Sequence, residues 1–460
     1  MKSSHVKHVG GDQISARKEI DLKLALVVSS LASLPLLYQI TRNPILYPFV
    51  DDWVLAPWLL GNVDLTANSL LQMVNGHQHF LIKLMLYFHG AVFGTSLEVI
   101  SILVVFLSIL TFAQLTFLTL NRILFKREVA LIVASIGVTL ILFTPRQFQN
   151  FFLIICAPWI ISLFLISTFL YANSKGDMKF RKPIMLTCLV LAPFSNGLGL
   201  ALSMYVIAKS TSFLLQKRSS QFEIVLMIFS SASIFLSQIV PRIALLFPSS
   251  ASDSPDLESE IKFVLENTIQ AFKFIFVSFS NPVVPWSTNY LNISIALGFF
   301  IGVSILVIYI KSNASLANWL FEENQMLTIG VLFSLSLLVS RFSALGVIGA
   351  IEPRYTTGSI LVIAGTIRLL LQFKVSQQYL VSLLLIGSIL VYGIGFRTGF
   401  NYYNYRHQQS VQIQNCFIEY PRMKAGDAEK CVDLILENSL GISKEELIKN
   451  LNSLSTSKHF

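Results

Sequence analysis

The sequence predicts an all-α integral membrane protein. We expect a polytopic bundle of about eleven transmembrane helices, with interfacial helices in the first outer loop and a small C-terminal tail domain. Apolar residues make up 54% of the 460 residues and charged residues only 13%, against roughly 25% charged in soluble domains. Apolar runs of about 20 residues, the length that crosses a hydrocarbon core of about 30 Å, recur through most of the chain.

Apolar windows and the breaks between them place the predicted spans. They cover residues 22–40, 97–119, 129–144, 151–171, 183–195, 197–215, 221–240, 291–310, 326–345, 359–373 and 378–397. The segment Pro193-Phe-Ser-Asn-Gly197 separates two of them, as a tight turn or a broken helix would. If these two spans were a single span, the predicted direction of every later span would be reversed.

The basic residues predict the orientation. Residues 1–21, which precede the first span, and the alternate loops after it hold about twice as many Lys and Arg as the opposite loops. Because cytoplasmic loops are enriched in these residues, we expect a cytoplasmic N-terminal segment, a transmembrane domain over 22–397 and a periplasmic tail over 398–460. Topology therefore explains the net charge of +9 without nucleic-acid binding. The first apolar run lacks a small-residue cleavage site and is expected to be a retained helix.

Two outer loops are too long to be simple connections. Loop 41–96 carries Trp53, Trp58 and an apolar stretch, so we expect helices that lie in the membrane interface. In loop 241–290 the second half, 263–284, is apolar enough to re-enter the membrane or lie on it. The tail is too short for a nucleotide-sugar domain, and the chain has no glycine-rich phosphate-binding motif. Any chemistry is therefore expected in or at the membrane.

The four cysteines form two classes. Cys156 and Cys188 lie in apolar runs and are expected to be small buried hydrophobes. Cys416 and Cys431 both fall in the tail and would form a disulfide only if the tail lies in an oxidising compartment.

The unusual polar clusters all fall on the predicted outer side. They are Asp51-Asp52, Asn75-Gly-His-Gln-His79, Thr144-Pro-Arg-Gln-Phe-Gln-Asn150, Ser195-Asn-Gly197 and Glu352-Pro-Arg-Tyr-Thr-Thr357. Polar clusters with unrelated structural roles would be expected on both sides of the membrane. The clusters therefore predict a single outward-facing site.

Asp51 and Asp52 are the candidate catalytic pair. A carboxylate held beside an acceptor hydroxyl can remove its proton as it attacks, and two neighbouring carboxylates can also hold a divalent cation such as Mg or Mn. The alternative is a pair that caps an interfacial helix starting at Trp53.

Arginines near the last spans are candidates for phosphate binding. They are Arg354, with Tyr355 beside it, and Arg341. The planar guanidinium of each arginine suits a lipid phosphate at the interface. The alternative for both arginines is contact with lipid headgroups or pairing with Glu352.

Further polar residues are candidates for substrate contact. His77 and Asn75 could hydrogen-bond the Asp pair or the acceptor, whereas metal ligation by His77 and His79 lacks a third ligand. The remaining candidates bind sugar hydroxyls, satisfy exposed helix ends or form a packing hinge; they are Arg146, Gln147, Asn150 and Asn196.

The order of these motifs resembles the bacterial GT-C type polytopic glycosyltransferases. The resemblance runs through Asp51-Asp-Trp53, Asn75-Gly-His77, Pro145–Asn150, Phe194–Gly199 and Arg354-Tyr-Thr-Thr357. It implies an inverting transfer on the periplasmic side, with Asp51 or Asp52 as base and Arg354 on the phosphate of a lipid-linked donor. Gln78 departs from the pattern, since many relatives have Arg after this His.

The implied reaction moves one sugar from a polyprenyl-phosphate donor to a cell-envelope glycan, such as an O-antigen or a related lipid-linked saccharide. The partners are then the lipid bilayer, the donor, the acceptor, and a separate donor-lipid synthase and flippase. The alternatives are a transporter or flippase, which would bury charges in several spans, and a polymerase, which would not need an early Asp pair.

Overall fold

The structure is a computed structural model that describes residues 19–45, 50–59, 61, 63–73, 79–93, 97–125, 127–242, 257–372, 377–437 and 443–456. All structural statements below concern these residues. They form helices joined by short turns, with no β-strand among them. The predicted all-α class is confirmed.

The α-helices follow one another with few long connections. The first ten are α1 Leu22–Arg42, α2 Ala56–Leu59, α3 Ala67–Leu71, α4 Phe80–Phe93, α5 Glu98–Leu120, α6 Glu128–Leu142, α7 Phe148–Phe152, α8 Ala157–Ser174, α9 Arg181–Leu191 and α10 Gly197–Leu215. The others are α11 Gln221–Ile234, α12 Leu257–Glu266, α13 Thr268–Ser280, α14 Leu291–Ser312, α15 Leu316–Asn318, α16 Gln325–Leu345, α17 Thr356–Gln372, α18 Gln377–Glu419, α19 Ala425–Glu437 and α20 Lys444–Thr456.

Short 3-10 and π-helical turns lie between these helices. The 3-10 turns are Val50–Leu55, Pro145–Gln147, Ile154–Cys156, Ala192–Phe194, Val240–Arg242, Asn281–Val283, Thr288–Tyr290, Val347–Ile351, Pro353–Tyr355 and Tyr420–Arg422, and the π-helical turns are Phe235–Ile239 and Trp319–Glu323.

Ten helical segments in the described part of the chain are long and apolar enough to cross a membrane. They correspond to ten of the eleven predicted spans and confirm a multi-pass helical bundle. The predicted span 183–195 differs, because α9 has 11 residues, a length of about 16 Å, before a 3-10 turn at 192–194. Pro193 and the Asn196 cap end this helix early.

The chain nevertheless reverses direction at this break. Arg181, at the start of α9, donates to Asn173 near the end of α8 at 3.0 Å. Beyond the other end of α9, Asn196 accepts from Ser162 in the first half of α8 at 2.8 Å. These contacts place α9 antiparallel to α8. The hydroxyl of Tyr205 then donates to Phe321 O at 2.9 Å, so α10 runs back toward the end where α9 began.

Helix α18 is much longer than the predicted span 378–397. It has 43 residues, about 65 Å at 1.5 Å per residue, and the predicted domain boundary at 397/398 lies inside it. Its middle packs closely on the turn that begins at Pro145. A Cβ added at Gly399 would lie 2.9 Å from Pro145 O, and one at Gly395 3.0 Å from Arg146 N. Small residues at this spacing allow the backbones to approach.

The tail beyond α18 is a small helical unit. Helices α19 and α20 pack on the end of α18 through buried apolar side chains that include Val432, Ile435 and Leu447. Cys416 and Cys431 are joined in a disulfide across this unit. Cys156 and Cys188 are buried and lie outside this disulfide, as predicted.

The two long loops, 41–96 and 241–290, contain helices. In the first, α2 packs on α4, and Gly90 permits contact with the Leu59 carbonyl. In the second, α13 enters the bundle, where Ser278 hydrogen-bonds Ser334 of α16 and Ser359 of α17. Whether 263–284 re-enters the membrane or lies on it stays a prediction.

Contacts between distant segments define two ends of the bundle. At one, which we call the network end, the segments that contact one another are 50–55, 144–156, 281–283 and 350–357. At the other, which we call the basic end, the segments are 118–124, 173–181, 216–218, 318–325, 368 and 377. The predicted cytoplasmic loops thus contact one another at the basic end.

Candidate functional site

A buried polar network joins two of the predicted motifs at the network end. Gln147 and Asn150 have no exposed surface. Asn150 Nδ2 donates to Arg354 O at 3.0 Å and also to Thr357 Oγ1, and Thr357 Oγ1 donates to Gln147 Oε1 at 2.9 Å. Gln147 Nε2 donates to Leu142 O at 3.0 Å. Residues about 205 positions apart in the chain are therefore held together by direct hydrogen bonds, as expected for buried polar groups.

Asn281 is the centre of the network. Its Oδ1 accepts from Arg146 Nε at 3.1 Å and from Thr356 Oγ1, and its Nδ2 donates to Ala350 O at 2.6 Å and Glu352 O at 3.2 Å. Both lone pairs of Oδ1 and both protons of Nδ2 are therefore in use.

Arg146 is 3% exposed and binds the protein itself. Besides the bond to Asn281, its Nη2 donates to Ile351 O at 2.9 Å. Its Nη1 is buried with no hydrogen-bond partner among the described residues. In this conformation Arg146, Gln147 and Asn150 hold the 350–357 segment, and their side chains are not open to a substrate.

Asp52 reaches the same end of the bundle from the first loop. It is 2% exposed, and its Oδ1 accepts from Ile155 N at 2.8 Å. The carboxylate thus contacts the segment that follows Asn150, and does not simply cap its own helix. The side chain of Asp51 lies outside the described residues.

Polar and aromatic residues from the middle of α18 complete this region. Tyr402 lies within electrostatic range of Asp52, and its ring packs against that of Phe148 at a tilt of 39° with centroids 4.4 Å apart. The guanidinium of Arg406 lies 4.6 Å from the centre of the Tyr402 ring.

The same stretch of α18 fixes the chain just before the Asp pair. Asn404 Oδ1 accepts from Gln39 Nε2 at 2.8 Å, the Tyr403 hydroxyl donates to Asn43 O, and His407 Nδ1 lies 3.0 Å from Pro44 O. Residues 39–44 therefore enter the first loop from a defined position.

The predicted phosphate-binding residues differ in their environment. The side chain of Arg354 is partly exposed, 5.4 Å over the ring of Tyr355. Tyr355 is 3% exposed and packs edge-on against Trp159, with centroids 5.5 Å apart. Arg341 lies near the end of α16 and is partly exposed, and the network bonds described above are made without it.

Asn196 caps α10. Its Oδ1 accepts from Leu198 N at 2.9 Å as well as from Ser162, which is the packing-hinge interpretation of the Ser195-Asn-Gly197 break. Asn75 and His77 lie outside the described residues, so their predicted contacts stay predictions. Among the residues described, no group of three His, Cys, Asp or Glu side chains could hold a metal ion. The cation predicted at Asp51 and Asp52 also stays a prediction.

Lys83 is a buried cation in the first loop that sequence reasoning counted only as a loop charge. It is 1% exposed; its Nζ donates to Ser69 O at 3.0 Å, Leu70 O at 3.4 Å and Gln72 O at 2.5 Å, and lies 5.3 Å from the Trp58 ring centre. It thereby joins α4 to the C-terminal carbonyls of α3. Burial lowers the pKa of Lys83 to about 7, and burial with the nearby Lys83 charge lowers the pKa of His79 to about 3.

We expect Lys83→Met to open the first loop. The substitution keeps the length of the side chain and removes the donor for three carbonyls, at a cost of about 1–3 kcal/mol. Between pH 7 and the ordinary lysine pKa of 10.5, the unfolded loop binds a proton that the folded loop lacks, so the stability of the wild-type loop rises with pH over this range. Limited proteolysis should cleave the loop of the variant faster than that of the wild type. The stability of the variant loop, measured in this way, should not rise with pH. Lys262→Met, at a lysine side chain that is 74% exposed, is the control and should behave as the wild type.

Sequence reasoning found the two motifs that meet, but missed several of their partners. Asn281 had a weak signal, an Asn-Pro pair directly after an apolar run. Tyr402 and Arg406 lie in the aromatic and polar run that begins at Asn401, which was assigned to the tail. Lys83 was visible as the only charge in residues 80–93.

Comparison of the chain with protein-family models, with curated proteins and with solved structures found no match.

Proposed function

We propose that this protein is a membrane glycosyltransferase that moves one sugar from a polyprenyl-phosphate donor to a cell-envelope glycan, such as an O-antigen or a related lipid-linked saccharide, with inversion. The reaction takes place at the network end. The proposal rests on the order of the sequence motifs and on the geometry of their residues.

One observation carries most of the support. Asp52 contacts the chain at Ile155, and the neighbouring Asn150 holds the backbone at Arg354. A buried carboxylate, a buried polar turn and a partly exposed guanidinium thus come from three distant parts of the chain to one end of the bundle. A base and a phosphate-binding cation on one rigid frame are what a transfer from a lipid phosphate requires.

In this proposal each side chain has a separate role in the transfer. Asp52, or Asp51 beside it, removes the proton of the acceptor hydroxyl. Arg354 binds the donor phosphate, since its guanidinium is permanently charged and accessible. Arg146, Gln147, Asn150 and Asn281 act as positioning residues that fix the backbone on which Arg354 and Tyr355 lie. A Mg or Mn ion at the Asp pair would stabilise charge on the leaving phosphate.

The proposed setting is the bacterial plasma membrane, with eleven crossings, a cytoplasmic N-terminus and a periplasmic network end and tail. The Cys416–Cys431 disulfide is consistent with an oxidising compartment for the tail. Nucleotide sugars are absent there, so the sugar must arrive on a lipid. A donor-lipid synthase and a flippase are then the expected partners.

Envelope glycans from a deletion strain and its parent test the function. We expect mass spectrometry to show the loss of one hexose, pentose or amino-sugar mass in the deletion strain, restored by the intact gene on a plasmid. An unchanged glycan would contradict the proposal. Loss of all polymerised glycan, with retention of the single repeating unit, would instead indicate a polymerase or a transporter.

A further inference from the structure

A polar cavity lies at the basic end of the bundle, at the opposite end from the residues assigned to transfer. Its volume is about 120 Å³. It opens between α5, α8, α16 and α17, and among its lining side chains are Arg122, Arg368, Asn173, Gln325, Glu322 and Glu323. No step of the proposed transfer uses these residues.

Two guanidinium groups line this cavity within electrostatic range of each other. Arg368, in the last turns of α17, donates from Nη1 to Leu118 O, and its Nε is buried with no hydrogen-bond partner among the described residues. Arg122 is exposed and extends to the same cavity from the end of α5. Two like charges at short range in a partly desolvated place are unfavourable unless an anion lies between them.

The backbone around the cavity has two uncommon conformations. Arg122 has φ 68°, in the left-handed region that residues other than glycine rarely adopt. Trp319–Glu323, which carries both lining carboxylates, is a π-helical turn, a feature often found at functional sites. The fold thus holds both charged walls in conformations that helix propensity alone would not produce.

The acidic residues do not cancel the positive charge. Glu322 is paired with Arg218 at 3.0 Å. This leaves two guanidinium groups against one carboxylate, Glu323, on the lining. The amide of Asn173 is itself held by Arg181, at 3.0 Å, and by Gln325, at 3.1 Å, so the polar wall is fixed in place.

We propose that this cavity binds a phosphate group, carried either by a lipid headgroup at the membrane surface or by a small molecule in solution. Guanidinium groups match the geometry of phosphate oxygens and stay charged at any physiological pH. Arg122 supplies the accessible contact and Arg368 the buried one. Since the site lies at the opposite end from Asp52 and Arg354, its occupation can be measured without reference to glycosyl transfer.

Thermal unfolding of the full-length protein in detergent micelles tests the site. The probes are inorganic phosphate, dioleoyl phosphatidate and dioleoylglycerol, the last differing from phosphatidate only by the phosphate. A ligand that binds the folded state raises the unfolding temperature in a saturable way. Arg122→Asn removes one guanidinium and keeps a residue tolerated at positive φ, and Arg368→Gln removes the other.

Lys217→Asn is the matched control. Lys217 is also an exposed cation with positive φ (57°) at the basic end, and it does not line the cavity. We expect each arginine variant to weaken the phosphate-dependent stabilisation by about 10-fold or more, whereas Lys217→Asn leaves it unchanged. Because Arg122 is exposed, Arg122→Asn should fold even if Arg368→Gln does not.

The probes separate the two sources of phosphate. Saturable stabilisation by phosphatidate alone supports a lipid headgroup, and stabilisation by inorganic phosphate supports a ligand from solution. The proposal is overturned if no phosphate-bearing probe stabilises the protein, if dioleoylglycerol acts as well as phosphatidate, or if Arg122→Asn responds as the wild type does.

Discussion

Asp52→Asn is expected to lower sugar transfer by about 10²–10⁴-fold, the usual contribution of a general base, while the protein stays folded and inserted. The amide oxygen of Asn can still accept the hydrogen bond from Ile155 N that Asp52 accepts at 2.8 Å. It cannot remove a proton from an acceptor hydroxyl. The measurement is the rate of sugar incorporation in membranes that carry the variant, normalised to the amount of protein.

A short series separates catalysis from the structural contact. Asp52→Ala loses both the base and the acceptor for Ile155 N, so it should be less stable than Asp52→Asn and equally inactive. Asp51→Asn distinguishes the two carboxylates, and Asp64→Asn, at an exposed aspartate of the same loop, should be fully active. If Asp52→Asn transfers sugar at the wild-type rate while Asp52→Ala does not, the carboxylate is only a structural acceptor.

The spans and the grouping of polar motifs could be predicted because both depend on local rules. A hydrocarbon core sets the length and apolarity of a span, and an even number of crossings returns the chain to the same side. The prediction that Pro145–Asn150 and Glu352–Thr357 share a side therefore followed from counting spans, and the bonds from Asn150 agree with it.

Other features depend on tertiary contacts that hydropathy does not report. Helix α18 continues past residue 397 through Asn401-Tyr-Tyr-Asn-Tyr405. These polar residues end the apolar window, but they hydrogen-bond the 39–44 segment: Asn404 accepts from the Gln39 side chain and Tyr403 donates to the Asn43 carbonyl. Asn281 was missed for a related reason, since its four partners lie 69–135 positions away in sequence.

The burial of individual side chains within the motifs could not be predicted from the sequence either. Arg146 and Arg354 have similar surroundings in sequence, each beside a proline at the start of a helix. The structure buries the first and leaves the second partly exposed. Only packing distinguishes a positioning arginine from one that can meet a ligand.

Asn281→Leu is expected to destabilise the protein by about 3–5 kcal/mol, since four buried hydrogen bonds are lost and each buried polar group left without its partner costs about 1–3 kcal/mol. Leucine fills a similar volume, but Arg146 Nε and Thr356 Oγ1 lose their acceptor, and the carbonyls of Ala350 and Glu352 lose their donor. Thermal unfolding in detergent is the measurement. Asn289→Leu, at an exposed asparagine eight positions further on, should have little effect.

A double-mutant cycle with Arg146→Met tests whether the buried charge is the cause. Replacing both partners of a buried polar contact by apolar groups can be nearly neutral, whereas removing one leaves the other desolvated. The double variant should therefore lose less free energy of unfolding than the two single variants lose together, by more than about 1 kcal/mol. Strict additivity would show that Asn281 stabilises the network end through Thr356 and the carbonyls of Ala350 and Glu352, and that its bond to Arg146 contributes nothing.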